Sequence, residues 1–253
     1  MCFNDTVSFI TFSIGVVCFA YLLYRGIKTK EKNDILASVF TILVAFMQLI
    51  EFFLWRNQEC NVWNHSFSLL IIFLLFLQGT VSNVLYMQLY PEKSFFSHSF
   101  VYGTIFIYAL VLFSCITTLQ KYSLCSKPSK TSCRLIWDSL AKLDYPQHRY
   151  LYFWFLFFYL FMYVIIFVNS YYSKNNLVTK YPIRYWFVFI TLVLAFFYVS
   201  FTSYYLQKIN AAWQHKNLPK IINQMFLLTS SDVYGSMWCF LGAFFGIVAV
   251  LKI

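Results

Sequence analysis

The sequence predicts an all-α polytopic membrane protein, a bundle of seven transmembrane helices forming one domain over residues 1–253. Three observations carry this expectation. Of 253 residues, 60% are hydrophobic and 11% charged, against about 25% charged in an ordinary soluble domain. Seven separated apolar runs approach the roughly 20 residues needed to cross the hydrocarbon layer. The 31 Phe and 20 Tyr thicken towards the ends of those runs, as interfacial anchors do. A soluble core cannot absorb this much apolar surface, whereas lipid can if helices satisfy the backbone internally.

The runs fall at 7–25, 34–55, 66–89, 98–118, 150–170, 183–205 and 232–251. The first follows an acidic start at Asp5 and ends in Arg25, without the basic leader or small-residue cleavage site of a signal peptide. It reads as a spanning helix closed by Arg25, Lys28, Lys30 and Lys32. The second opens at Asp34, a residue suited to capping free amides. The third is the most polar, carrying Gln78, Gly79, Ser82, Asn83 and Gln88, and stops before Pro91. The sixth starts after Pro182, which suits a first helical turn. The seventh begins at Asp232 and ends at Lys252, and its Gly242 and Gly246 have the small-residue spacing that permits close helix contact. Two longer connections, 119–149 and 206–231, carry amphipathic pieces: Leu135, Ile136, Leu140 and Leu143 in one, Ile221, Ile222, Met225 and Phe226 in the other. Each reads either as a helix along the membrane surface or as an ordered loop.

The net charge of +10 resides almost wholly in these connections, where Lys and Arg meet anionic lipid headgroups. No zinc-finger spacing, helix-turn-helix pattern or aromatic-basic stripe accompanies it, so nucleic acid is not an expected partner. Lys/Arg counts on the two sides nearly balance. The cluster directly after the first run favours an N-terminus outside or in a lumen, because the first helix often sets topology. In that orientation two glycosylation patterns, Asn4-Asp5-Thr6 and Asn64-His65-Ser66, fall on the outer side. Cys2, Cys60, Cys125 and Cys133 fall there too, where disulfides form. Cys125 with Cys133 is the expected bridge, Cys2 with Cys60 the alternative.

Glu51, in Gln48-Leu49-Ile50-Glu51-Phe52-Phe53-Leu54-Trp55, is the acid that stands inside a spanning segment. Such a residue is costly unless it pairs, is protonated or faces the protein interior. Gln48, Glu51 and Trp55 share one helical face, and Arg56 is near enough to meet the carboxylate. The candidate polar cavity or interhelical network is Gln48, Glu51, Gln78, Ser82, Asn83, Asp232 and Ser236. The four histidines are scattered, with no pair at metal-ligand spacing, so neither a metal nor a cofactor is expected. A phosphate loop and a nucleophile turn are absent. No lysine sits inside the last run, which excludes a retinal Schiff base.

The stretch from Gln48 to Trp55 resembles a segment of uncharacterised multi-pass membrane proteins of large DNA viruses and protists. The likeness covers under a tenth of the chain and implies location without mechanism. Two function classes stay open. One is a small transporter, channel or receptor-like protein with a polar cavity near Glu51, its solute or ion unknown. The other is a non-catalytic protein that organises a membrane or binds partners, including a second copy of itself, with the buried polar residues as glue between helices.

Overall fold

The computed structural model describes residues 4–91, 95–128, 135–143, 145, 147–172, 180–184, 186–187 and 245–251. The described residues form a largely helical fold: α1 (Asp5–Thr29), α2 (Lys32–Arg56), α3 (Val62–Leu89), α4 (His98–Leu119), β1 (Lys127–Pro128), β2 (Leu135–Ile136), α5 (Asp138–Leu143), α6 (Arg149–Tyr172) and α7 (Phe245–Val250). Five of these, α1 to α4 and α6, are long and apolar enough to cross a membrane. They coincide with the first five predicted runs. Most of the sixth run, the first part of the seventh and the connection 206–231 lie outside the described residues.

Local chemistry sets the helix ends. Asn4 Oδ1 accepts from the amide of Val7 at 3.0 Å, Asn61 from Asn64 at 3.0 Å and Ser97 from Phe100 at 3.2 Å, satisfying N-terminal donors that have no intrahelical partner. α1 stops at Lys30, whose backbone is left-handed (φ 55°), and α2 begins two residues on. So short a turn makes α1 and α2 an antiparallel hairpin. Small residues let it close tightly: a Cβ on Gly15 would stand 2.6 Å from Ala45 Cβ, and one on Gly26 would stand 2.8 Å from Ile35 Cγ1.

α2 and α3 are the central helices. α1 and α7 pack on α2, and α4 and α6 on α3. Gly246 of α7 lies against α1 and α2, since a Cβ there would meet Thr41 Cγ2 at 2.7 Å and Cys18 Cβ at 2.8 Å. This gives half of the predicted small-residue seam a role; Gly242 lies outside the described residues. Phe106, Leu110 and Phe113 of α4 and Phe153, Trp154 and Phe157 of α6 remain exposed on the outer faces.

The segment between α4 and α6 folds inward. β1 and β2 pair antiparallel, Lys127 opposite Ile136, and Leu124, Leu135, Trp137, Leu140 and Leu143 are all buried in the common core. Of the apolar residues that suggested a surface-lying helix or an ordered loop, Leu135 lies in β2 and Leu140 and Leu143 in the short helix α5, and all three pack into the core as a cap. A disulfide between Cys60, after α2, and Cys125 pins this cap. It corrects the expected Cys125–Cys133 bridge and the alternative of Cys2 with Cys60. The cap folds back onto the α2–α3 turn, so Cys125 meets a residue 65 positions away rather than its near neighbour. Cys133 and Cys2 lie outside the described residues.

Candidate functional site

Glu51 is 4% exposed, within the last turns of α2. Gln48, one turn earlier, donates from Nε2 to Glu51 Oε2 at 3.1 Å. Trp137 of the cap donates from its indole Nε1 to Glu51 Oε1 at 3.2 Å. Thr11 of α1 donates to Gln48 Oε1 at 2.9 Å. The acid thus ties α1, α2 and the cap together. Arg56 does not meet it but pairs with Asp5 of α1 at 2.7 Å, and Trp137, which sequence reasoning did not single out, supplies the second donor. No local pattern marks Trp137, because its position depends on the cap folding inward.

The predicted polar residues of α3 form a second group. Gln78 Oε1 accepts from Tyr159 at 3.1 Å and from Tyr163 at 3.4 Å, both on α6. Asn83 donates to the carbonyl of Met162 at 3.0 Å and to that of Gly79 at 2.8 Å. Between them Gly79 packs against Met162, where a Cβ would stand 2.8 Å from Met162 Cβ. Ser82 is buried beside them. The structure therefore joins Gln48 with Glu51 directly, whereas Gln78 and Asn83 bind α6 side by side through separate partners. Asp232 and Ser236 lie outside the described residues.

A third cluster was missed as a site. Asp34, 0% exposed, stands between two guanidinium groups. Arg25 Nε lies 2.5 Å from Oδ2 and Arg25 Nη2 donates to Oδ1 at 3.0 Å. Arg184 Nη1 lies 2.9 Å from Oδ1, an ion pair by distance without hydrogen-bond alignment. Both arginines also bind the carbonyl end of α7: Arg25 donates to Val250 at 2.8 Å and Ala249 at 3.0 Å, and Arg184 to Ala249 at 2.7 Å. Those carbonyls end a helix and have no intrahelical partner. Asp34 is thus not the expected cap: α2 starts two residues earlier, at Lys32, and the carboxylate turns inward. Arg25, expected at lipid headgroups, is buried with it. One signal was present, since opposite charges either side of a short helical turn are brought together by the hairpin. Nothing local marks Arg184.

Beside this cluster Lys180 pairs with Glu31 at 3.2 Å. Partial burial works to raise the Glu31 carboxyl, but hydrogen bonds from Lys180 and Tyr181 hold it below its ordinary value. The Tyr181 hydroxyl and Glu31 raise Lys180 in turn.

The predicted modification sites divide. Asn4 is exposed at the start of α1. Asn64 is 0% exposed, and its amide donates to the carbonyls of Asn57 at 2.6 Å and Ser126 at 2.9 Å while accepting from the Ser126 amide at 2.8 Å. It anchors the cap, and a glycan there is corrected to a structural role. Cys18 and Cys115 are buried free thiols. Among the described residues no three His, Cys, Asp or Glu side chains group to hold a metal ion. No protein-family model, curated protein or solved structure matches the chain.

Proposed function

We propose that the chain is a multi-pass integral membrane protein of non-catalytic type, organising a membrane or binding partners, in which buried polar side chains hold a helical bundle and its cap together. The observation that carries this reading is Glu51, whose two carboxylate oxygens are bound by Gln48 and by Trp137 of the cap. An acid engaged in this way is a clasp. The five long apolar helices and the predicted sixth and seventh support a seven-helix bundle. Asp5 pairs with Arg56 close to Cys60 and its disulfide, which supports an oxidising side for the N-terminal end and an outside or lumenal N-terminus. Lys28 and Lys30, exposed at the opposite end, suit anionic headgroups.

A transport or receptor reading is favoured by a different observation, the buried atoms Gln78 Nε2, Ser82 Oγ and Asn83 Oδ1, which have no hydrogen-bond partner among the described residues. Glu51→Gln and Glu51→Ala in reconstituted protein separate the two. As a clasp, Glu51→Ala strands the Gln48 and Trp137 donors and lowers the unfolding temperature, at roughly 1–3 kcal/mol per buried group left unpaired. Glu51→Gln lowers it less. A proton- or cation-dependent flux in the parent that vanishes in normally folded Glu51→Gln overturns the clasp and establishes transport.

A further inference from the structure

We propose that ordered water binds in the middle of the bundle, against α3 at Gln78, Ser82 and Asn83. These side chains are 0%, 2% and 1% exposed, and each presents a polar atom without a hydrogen-bond partner among the described residues: Nε2, Oγ and Oδ1. Buried polar atoms are rarely left so, and bound water is the usual partner where protein groups do not reach. Gln78 and Ser82 are one helical turn apart on one face, and Asn83 follows directly. The remaining halves of both amides are fixed on a single turn of α6, through Tyr159 at 3.1 Å and the Met162 carbonyl at 3.0 Å. Turning the Gln78 amide over does not remove the need, because it leaves the oxygen unpartnered instead of the nitrogen. Asn83 cannot turn over, since its oxygen would then face the Met162 and Gly79 carbonyls.

The chemistry of the site selects its occupant. An amide N–H group, a hydroxyl and an amide oxygen offer both donors and acceptors and no charge, so they suit a neutral molecule that donates and accepts. The contact between Gly79 and Met162 holds α3 against α6, and a larger solute would have to part the helices. Water meets both requirements. With the Tyr159 and Tyr163 hydroxyls, 3.2 Å apart, it makes a hydrogen-bonded layer between α3 and α6. Such a layer can serve cohesion or passage alike.

The full chain in lipid bilayers, studied by proton-detected solid-state NMR, tests this directly through magnetisation transfer from water. The Gln78 side-chain amide should receive water polarisation faster than the backbone amides of its buried neighbours Leu74 and Leu75. Transfer no faster than at those amides overturns the proposal. The Ser82→Ala variant gives an independent sign. Removing a dry, unpartnered hydroxyl raises the unfolding temperature, whereas removing a ligand of bound water leaves it unchanged or lowers it. A rise overturns the proposal.

Discussion

Removing Asp34 should harm this protein more than removing either arginine it binds. The reason is charge balance in a buried place. Arg25 and Arg184 are 9% and 2% exposed and Asp34 is 0% exposed, so none of the three is well hydrated. Asp34→Leu leaves two guanidinium groups facing each other without an anion. Arg25→Met leaves Arg184 with Asp34, a matched pair, and forfeits only the Arg25 bonds to Asp34 and to the α7 carbonyls. Stranding a buried charge costs about 3–5 kcal/mol. The two bonds to the α7 carbonyls cost about 3 kcal/mol together, taking the lower end of the range for a charged donor, and Asp34 keeps Arg184 as its partner. Against a total stability of about 5–15 kcal/mol, both losses are felt and the first is the larger.

The protein carries its own reporters, because Cys18 and Cys115 are buried free thiols on α1 and α4. A thiol-reactive fluorophore followed during a thermal ramp reads their exposure. At roughly 2–4 °C per kcal/mol for a chain of this size, Asp34→Leu should unfold about 10 °C below the parent, and Arg25→Met should fall between them. The double variant Arg25→Met with Asp34→Leu should be more stable than the sum of the single losses predicts, since one of the two stranded cations is gone. An Asp34→Leu protein as stable as the parent, or one more stable than Arg25→Met, would refute the charge-balance reasoning.

Three further outcomes follow from packing, covalent linkage and surface charge. Gly15→Leu should lower the unfolding temperature, because even a Cβ there lies 2.6 Å from Ala45 Cβ and overpacking costs about 1–3 kcal/mol. Gly103→Ala, with nothing within 4 Å, should be neutral or gain up to about 1 kcal/mol of helix propensity. Peptide mapping without reductant should recover Cys60 linked to Cys125, and Cys60→Ser should destabilise by about 2–4 kcal/mol; a Cys125–Cys133 peptide would contradict the cap described here. Glu31 titrates below its ordinary value of 4.5, so its contribution is present above that pH and is lost as pH falls through the folded value. Side-chain exposures of 53% for Lys180 and 27% for Glu31 keep it below about 1 kcal/mol. A Glu31→Gln variant should therefore match the parent in acid and fall slightly below it near neutrality, as unfolding temperatures across pH would record.

The helices that could be read from the sequence are those whose signal is local. α1 to α4 and α6 announce themselves by apolar length, and their ends shift only where a cap intervenes: α3 starts at Val62 rather than 66 because Asn61 accepts from the amide of Asn64. Contacts between distant segments were legible only where a short turn enforces them. The α1–α2 hairpin places Arg25 beside Asp34, and that pairing could have been found from the opposite charges flanking Lys30. Trp137 on Glu51, Arg184 on Asp34 and Cys60 on Cys125 each join segments at least 65 residues apart, and no periodicity carries that information. Asn64 shows the reverse error. Its three-residue pattern is a valid acceptor sequence, but the same amide that would carry a glycan is the one the fold spends on Ser126.

The three polar clusters have a common form that composition alone would not suggest. Glu51 binds the cap, Gln78 and Asn83 bind α6, and the pair Arg25–Asp34 binds the end of α7. Each attaches the α1–α2–α3 core to a segment that joins it from far along the chain. In the membrane setting proposed here, lipid tails solvate apolar helices about as well as neighbouring helices do, so burial of Phe and Leu discriminates weakly between correct and incorrect partners. A hydrogen bond or ion pair does discriminate, because a misplaced helix leaves a polar group unpaired in hydrocarbon. The clusters should then matter more for which segments assemble than for how tightly they hold. Their distribution fits this: each distant segment carries such a tie, set among helices whose exposed faces include phenylalanine, leucine and tryptophan.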